Sequence, residues 1–501
     1  MAPDENKDDP DEQAERPSES TLIAERRAKA ERLREAGRDP FPHSYPDRVE
    51  IADVRAAHDD LEDGDETEAS YRVAGRITGK RGMGKAAFLD LRDGSGQIQL
   101  QSRSDVLGPE EHELLLMMDM GDHIGIEGTA CKSRRGELSL RVTNWVPLAK
   151  ALRPLPDKYH GLTDVEARYR QRELDLIANP EVRQIFITRA KVISEIRRRL
   201  DDDGFIEVET PVLQPIYGGA LAKPFTTRHN ALDRDLYLRI ATELYLKRCI
   251  VGGIDKVYEL GKDFRNEGIS HKHNPEFTML EWYEAYADYD DNAVRLENLV
   301  AAVAEAALGT TKIERDGTTI DLKPPWKRVT LTDAIREHAG VDISARPSRE
   351  ELAAALGAKP GDDQGWGKLV DMVFSKLVEP HLIEPTFIRD YPVELSPFAK
   401  DHRSEPGLVE RWEAFLGGVE IANSFTELND PDEQRRRFDM QATELARGDE
   451  EAQPHDESFL RALEQGMPPT GGVGLGIDRL VMMLTGAAGL REVLLFPAMR
   501  D

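Results

Sequence analysis

Between Lys256 and Tyr286 the chain reads KVYELGKDFRNEGISHKHNPEFTMLEWYEAY, two strand-like runs joined by a charged loop. From Glu276, alternation with a period of two puts Phe277, Met279, Glu281 and Tyr283 on one face and Thr278, Leu280 and Trp282 on the other. Arg265 and Glu267 end the first run, and the loop supplies His271, Lys272, His273 and Asn274. Cations beside an aromatic ring suit the phosphates and base of a nucleoside triphosphate, and the carboxylates suit an amine. A merely solvated hairpin is the alternative for any charged loop.

Two further stretches carry chemistry. GLVERWEAFLGGVEIANSFTELND predicts a hairpin about Gly417–Gly418. A two-residue turn pairs Phe415 with Glu420 and puts Glu413 and Glu420 on one face, where two carboxylates can share magnesium. PPTGGVGLGIDRLVMMLTG spaces Gly472, Gly474, Gly476 and Arg479 as GxGxGxxR and runs into an apolar helix; by itself that is equally a packing device.

The order F-R-N-E, short loop, H-N-P-E-F resembles motif 2 of the class II aminoacyl-tRNA synthetases, in the version carried by the lysine enzymes. A helix over 183–200 followed by DDDGFIEVETPVLQPIYGGA resembles motif 1, GxGxGxxR resembles motif 3, and the three occur in order. The phrases around RPLPDKYHGLTDVEARYRQRELDLIANPEV and REVLLFPAMR are also similar to lysyl enzymes. Departures are Thr242 where proline is common, Phe398 in place of a smaller aliphatic residue, and Ala422 and Ser424 in place of glycines.

The resemblance implies a class II catalytic domain, an antiparallel sheet flanked by helices, behind an oligonucleotide-binding (OB) β-barrel. It implies lysine activation by ATP and transfer to tRNA(Lys), with no protein nucleophile. Arg265, Arg479 and His273 would be catalytic. ATP would meet Arg265, Glu267, His273, Asn274, Phe277, Gly474, Gly476 and Arg479, its adenine between Phe277 and Arg479. Gly219 and Glu243 would address the α-ammonium of lysine, and Glu281, Tyr283 and Glu427 its ε-ammonium. Arg265 would hold its carboxylate, with Asn423 and Phe425 shaping the pocket and Mg2+ on Glu413 and Glu420. Asn423, Phe425 and Glu427 have the opposite strand parity to Glu420, so a bulge is predicted between Glu420 and Asn423. Motif 1 implies a homodimer.

The elements that must position these residues divide the chain into an acidic tail (1–20), a helical segment (21–69), a barrel (70–149), a linker (150–180) and a catalytic domain (181–501). The tail is polar and acidic enough to be disordered. Thr21 is the expected cap and Gly37 the stop of a helix carrying Arg26, Arg27, Lys29, Arg32 and Arg34, either a solvated face or an RNA contact. The short β-like runs between Gly-rich turns from Ser70 onward suit a small barrel. In it Arg81, Phe88 and Gln99 supply stacking and hydrogen bonding, and the resemblance makes them the anticodon contacts. The linker is locally basic through Arg153, Lys158, Arg168, Arg170 and Arg172, as an RNA track or a packed connector. LYLRIATELYLKRCIVGG is a strand and then a helix with Thr242 as its cap, and 291–400 reads as helical.

The net charge of −27 disfavours indiscriminate nucleic-acid binding, so RNA contact needs local basic patches. It fits an ordinary acidic cytosolic protein and one adapted to concentrated salt equally. Cys131 and Cys249, far apart and outside any CxxC, indicate neither disulfide nor zinc. No apolar run is long enough to span a bilayer and the N-terminus is acidic, so a cytoplasmic protein is expected. Rival readings are an aspartyl- or asparaginyl-tRNA synthetase, a synthetase-like enzyme that lysylates protein, and a non-enzymatic RNA-binding module.

Overall fold

The computed structural model describes residues 18–499 apart from Met83, Arg134, 156–161, Pro360, 362–364, Pro397 and 447–452. The expectations for residues 1–17 and for Lys158 lie outside the described residues. The chain forms two compact units that divide between Leu162 and Thr163.

The first unit opens with helix α1 (Glu19–Glu35). Its cap is Ser18, whose hydroxyl accepts from the backbone N–H of Thr21, so the helix starts ahead of the expected Thr21. Gly37, at φ +74°, ends it in a left-handed conformation that a side chain would strain. Part of its basic cluster turns onto the barrel: Arg26 donates to the carbonyl of Ala151 at 2.8 Å and Lys29 meets Asp119 at 2.5 Å.

Strands β1 (Glu66–Arg81), β2 (Ala86–Arg92), β3 (Gln97–Arg103), β4 (His123–Lys132) and β5 (Leu138–Ala149) close into a barrel in the order β1-β2-β3-β5-β4. Alternation along them sends Val73, Ile77, Leu89, Leu91, Ile98, Leu100 and Ile126 into one core. A bulge between Ile77 and Gly79 needs its glycine, because a Cβ at Gly79 would lie 2.1 Å from the Asp90 carboxylate.

In the second unit, helix α2 (Pro180–Asp202) starts with proline, which loses nothing in the first turn, and buries Val192, Ile196 and Leu200. The strand that follows is the short β6 (Ile206–Glu207), and beyond it the Val208 N–H still donates to the carbonyl of Tyr258. Strands β7 (Lys256–Phe264), β8 (Glu276–Ala285), β9 (Lys327–Thr330), β10 (Thr386–Pro392), β11 (Leu408–Leu416), β12 (Val419–Thr426) and β13 (Thr470–Gly476) complete an eight-stranded sheet. Its order is β9-β10-β11-β12-β13-β8-β7-β6. It is mixed rather than wholly antiparallel, with parallel pairs β9/β10 and β6/β7 at its two ends. The stretch 291–400 is accordingly not all helical, since it supplies two strands to this sheet and a separate hairpin over 312–321.

One face of the sheet is the core, where Tyr258, Leu280, Trp282, Trp412 and Val473 pack with α2 and with a helix over Tyr289–Leu308. Leu280 and Trp282 are fully buried there, which commits the alternate residues of β8 to the opposite face.

Candidate active site

That opposite face is the floor of a cleft of about 360 Å³, within the range of small-molecule sites. Every residue expected in the second unit to contact nucleotide, amine or metal lines it. Strand register explains the convergence. Gly474 of β13 faces Glu281 of β8 on one side and Asn423 of β12 on the other, and Asn423 in turn faces Glu413 of β11. One step along, Gly472 sits between Tyr283 and Phe425, and Phe425 faces Arg411.

The hairpin pairs Phe415 with Glu420, as expected, and Ala414 with Ala422. Ile421 is therefore the extra residue of a bulge, which brings Asn423 and Phe425 onto the same floor as Glu420 despite their parity.

The three glycines of the GxGxGxxR pattern differ in why they are glycine. A Cβ on Gly472 would lie 2.1 Å from Glu427 Oε1 and 2.4 Å from the Tyr283 ring, so the protein's own packing forbids it. At Gly474 and Gly476 the nearest atoms would be 3.7 and 3.6 Å away, ordinary contact distances. Those two leave the floor bare without being required by packing, which suits a ligand lying flat on it.

At one end Arg265, Phe277, Asn274, His273 and Arg479 gather. The Arg265 guanidinium carbon is 5.1 Å from the centroid of the Phe277 ring. Asn274 donates to the carbonyl of Glu276, while its Oδ1 is buried without a hydrogen-bond partner among the described residues. Arg479 donates to the Glu420 carbonyl at 2.8 Å and carboxylate at 2.9 Å. His273 is held down to about 4 by burial and by the cations Arg479 and Lys272, against the pull of Glu420. It is thus a neutral imidazole at pH 7, with Nδ1 2.9 Å from the Ser270 hydroxyl.

The other end is lined by carboxyl groups. Glu281 is pushed up to about 8 by burial and by the charges of Asp263 and Glu243; it accepts from the Thr242 N–H. Glu427 is pushed up to about 8 by burial and Glu243, with Lys247 opposing. Tyr283 donates its hydroxyl to Glu281 at 3.2 Å. Thr242 holds the position ahead of helix α3 (Glu243–Val251), but its side chain makes no capping bond: its backbone is already helical, and the hydroxyl has no partner among the described residues. Gly219, at φ +90°, lies so close to α3 that a Cβ would be 3.0 Å from Glu243 Cβ, and its N–H is taken by Gln453 Oε1 at 3.1 Å.

Between the ends, Glu413 accepts from the Tyr391 hydroxyl at 2.9 Å and pairs with Arg411. Burial pushes Glu413 up to about 7, Arg411 opposing and Glu420 adding to the rise. Two hard oxygen donors whose charges repel across one cleft fit magnesium, which uses one or two carboxylates and takes its remaining ligands from water and phosphate. The described residues hold no cluster of three or more His, Cys, Asp or Glu suited to a metal.

In the barrel, Arg81 pairs with Phe88 across β1 and β2, and Asp90 with Gln99 across β2 and β3. Phe88 and Asp90 are two residues apart, so Arg81, Phe88, Asp90 and Gln99 share one face. Phe88 is half-buried there rather than in the core, and Asp90 holds Arg81 at 2.8 Å.

Sequence reasoning missed Lys247, Arg411 and Gln453. Lys247 is fully buried, 2.6 Å from Glu243 and 2.5 Å from Glu427. Arg411 donates to Asn423 Oδ1 at 3.0 Å and to Glu413. Spacing could have found two of them: Lys247 is one helical turn after Glu243, and Arg411 is two strand residues before Glu413.

The sequence that builds these two units is similar to those of known proteins. Residues 164–500 match the family model for class II tRNA synthetases (D, K and N), and residues 71–148 match that for the OB-fold nucleic acid binding domain. The chain belongs to the class II tRNA synthetases of this group. Among curated relatives, the lysine–tRNA ligase of Moorella thermoacetica is 52% identical over 488 residues, covering 96% of this chain and 98% of that one. The lysine–tRNA ligase of Bacillus cereus is 51% identical over 481 residues, covering 95% and 96%.

Proposed function

We propose that the chain is an ATP-dependent lysine–tRNA ligase. It activates L-lysine to lysyl-adenylate with release of pyrophosphate, then transfers the lysyl group to the 3′ end of tRNA(Lys). One observation carries the choice of amino acid: Glu243, Glu281 and Glu427 converge at the end of the cleft away from Phe277, and Glu427 Oε1 is buried without a hydrogen-bond partner among the described residues. An ammonium satisfies it with both donors and charge; the carboxylate of aspartate sets acceptors against acceptors, and the neutral amide of asparagine brings an N–H donor but no charge to balance the carboxylates. The barrel, with its exposed Arg81 beside the half-buried Phe88, goes with a tRNA substrate rather than a protein one.

In the first step an oxygen of the lysine carboxylate attacks the α-phosphorus of ATP. The new P–O bond forms as the bond to the β-phosphate breaks. Arg265 bridges the attacking carboxylate and the α-phosphate, where negative charge accumulates. Phe277 and Arg479 hold the adenine by stacking on its faces, Glu267 and Asn274 adding polar contacts over the bare floor of Gly474 and Gly476. Neutral His273 donates to an outer phosphate. Glu413 and Glu420 would hold magnesium, which would supply positive charge to the pyrophosphate leaving group. Gly219 and Glu243 receive the α-ammonium, Glu281, Tyr283 and Glu427 the ε-ammonium, with Asn423 and Phe425 as walls. In the second step a ribose hydroxyl of the terminal tRNA adenosine attacks the adenylate carbonyl and AMP leaves.

Charging of total tRNA with labelled lysine, aspartate or asparagine tests this reading. Lysine alone should appear on tRNA; acylation by another amino acid, or none, contradicts it. The resemblance of Arg81, Phe88 and Gln99 to anticodon contacts supports base readout on the barrel. Stacking on an aromatic side chain contributes about 1–3 kcal/mol per base, so Phe88→Ala should raise KM for tRNA(Lys) roughly 5- to 150-fold. Exchange without tRNA checks that the catalytic unit of the variant is intact.

The reading includes a homodimer through motif 1, supported by the exposed side chains of Ile187, Ile206, Val212 and Leu213 along that segment. Sedimentation equilibrium should return twice the chain mass of 56.3 kDa, and a monomer at micromolar concentration contradicts the dimer. No helix among the described residues is long and apolar enough to cross a membrane. A cytoplasmic location accompanies the proposed role in translation.

A further inference from the structure

Lys247 belongs to the amine pocket's charge cluster but does not itself line the cleft. Its ammonium is fully buried behind the pocket, touching two carboxylates from distant parts of the chain: Glu243, one turn earlier on α3, and Glu427, just past β12. Both of those carboxylates do line the cleft. The other charged groups around the cluster are Glu281 and Tyr283 on β8, and Asp263 on β7, which lies 3.1 Å from Arg239. Arg265 stands beyond β7, and Arg248 of α3 faces outward to Asp456 at 3.6 Å.

We propose that Lys247 is a specificity-determining positioning residue, a built-in cation that sets the charge of the pocket and holds Glu243 and Glu427 where the two ammonium groups of the substrate meet them. The inference rests on lysine being the substrate. Ionised Glu243, Glu281 and Glu427 carry three negative charges, and Lys247 cancels one. The two that remain match the α- and ε-ammonium groups, while the substrate carboxylate goes to Arg265. Without Lys247 the pocket keeps a surplus negative charge in a buried site, where an uncompensated charge is driven to take up a proton. An amino acid with a single ammonium leaves the same surplus in the native protein, so Lys247 tunes the site to a diamine acid.

The sign of the pH dependence follows. Glu281 and Glu427, both raised to about 8 by burial and neighbouring carboxylates, must lose protons to receive ammonium groups. KM for lysine in the native enzyme therefore falls as pH rises through about 8. Removing Lys247 strengthens the carboxylates' hold on protons and moves this fall to higher pH; removing a carboxylate moves it lower.

The test is lysine-dependent ATP–pyrophosphate exchange between about pH 6 and pH 9, with kcat and KM separated, on the native enzyme, Lys247→Met, Glu243→Gln and the double variant. For Lys247→Met the expected result is a KM profile displaced upward by about one pH unit or more, equivalent to roughly tenfold in KM at fixed pH, with a smaller effect on kcat. The double variant should return the profile toward the native position, because the charge count is restored. A Lys247→Met profile that coincides with the native one, or a double variant displaced as far as the single, overturns the proposal and leaves Lys247 as packing. If Lys247→Met does not fold, Glu243→Gln carries the test: a downward displacement supports the charge balance and an unmoved profile overturns it. A native enzyme that ignores lysine but activates another amino acid overturns the substrate reading itself, before any variant is compared.

Discussion

Replacing Arg265 with alanine is expected to lower kcat for lysine-dependent pyrophosphate exchange about 10²- to 10³-fold, the usual cost of one donor aimed at developing charge. The proposed reaction calls for no protein nucleophile, so its catalysis rests on alignment and on stabilising charge at the α-phosphate. Arg265 stands at the Phe277 end of the cleft, its guanidinium carbon 5.1 Å from the centroid of that ring. Arg265→Lys should recover little of the loss, since a point charge cannot bridge carboxylate and phosphate with a planar fork. Exchange assayed at saturating lysine and ATP separates the kcat effect from binding. A variant that keeps kcat and only raises KM would remove Arg265 from the reacting centre.

The second large effect is expected at Gly472. Alanine there puts a Cβ 2.1 Å from Glu427 Oε1 and 2.4 Å from the Tyr283 ring, and neither can retreat, because Glu427 and Tyr283 are themselves buried. Overpacking of this kind costs about 1–3 kcal/mol of stability. The atoms forced aside are those proposed to receive the ε-ammonium, so exchange with lysine should fall by at least about 10²-fold through KM. Gly474→Ala is the informative partner. Its Cβ meets only Met279 Sδ at 3.7 Å and Glu281 Cγ at 3.9 Å, so thermal stability should stay near native. Activity should still be lost, because the added methyl stands on the floor between Asn423 and Glu281. Thermal melts and exchange kinetics on both variants check the pair. Equal destabilisation of the two would mean that glycine serves packing at both positions.

Much of this site was legible in the sequence because it depends on period and order. Alternation from Glu276 separated Phe277, Met279, Glu281 and Tyr283 from the core residues Leu280 and Trp282. The clash of parity between Glu420 and Asn423 announced the bulge at Ile421. What stayed hidden depends on contacts without a spacing rule. Lys247 meets Glu427, and Gly219 meets Gln453, across stretches that only the folded sheet brings together. Ser18, Ser20 and Thr21 are all able to cap a helix, and local chemistry alone did not choose Ser18. The strands β9 and β10 lie in a stretch whose helical residues outnumber them, and their pairing partners are remote.

The most direct measurement of the central claim is amino-acid-dependent ATP–pyrophosphate exchange with lysine, aspartate and asparagine, in the absence of tRNA. The account predicts exchange with lysine alone, because the buried carboxylates Glu243, Glu281 and Glu427 demand ammonium partners. Exchange with aspartate or asparagine would contradict the anionic pocket while leaving the fold and the adenylate chemistry in place, and exchange with none of the three would contradict both.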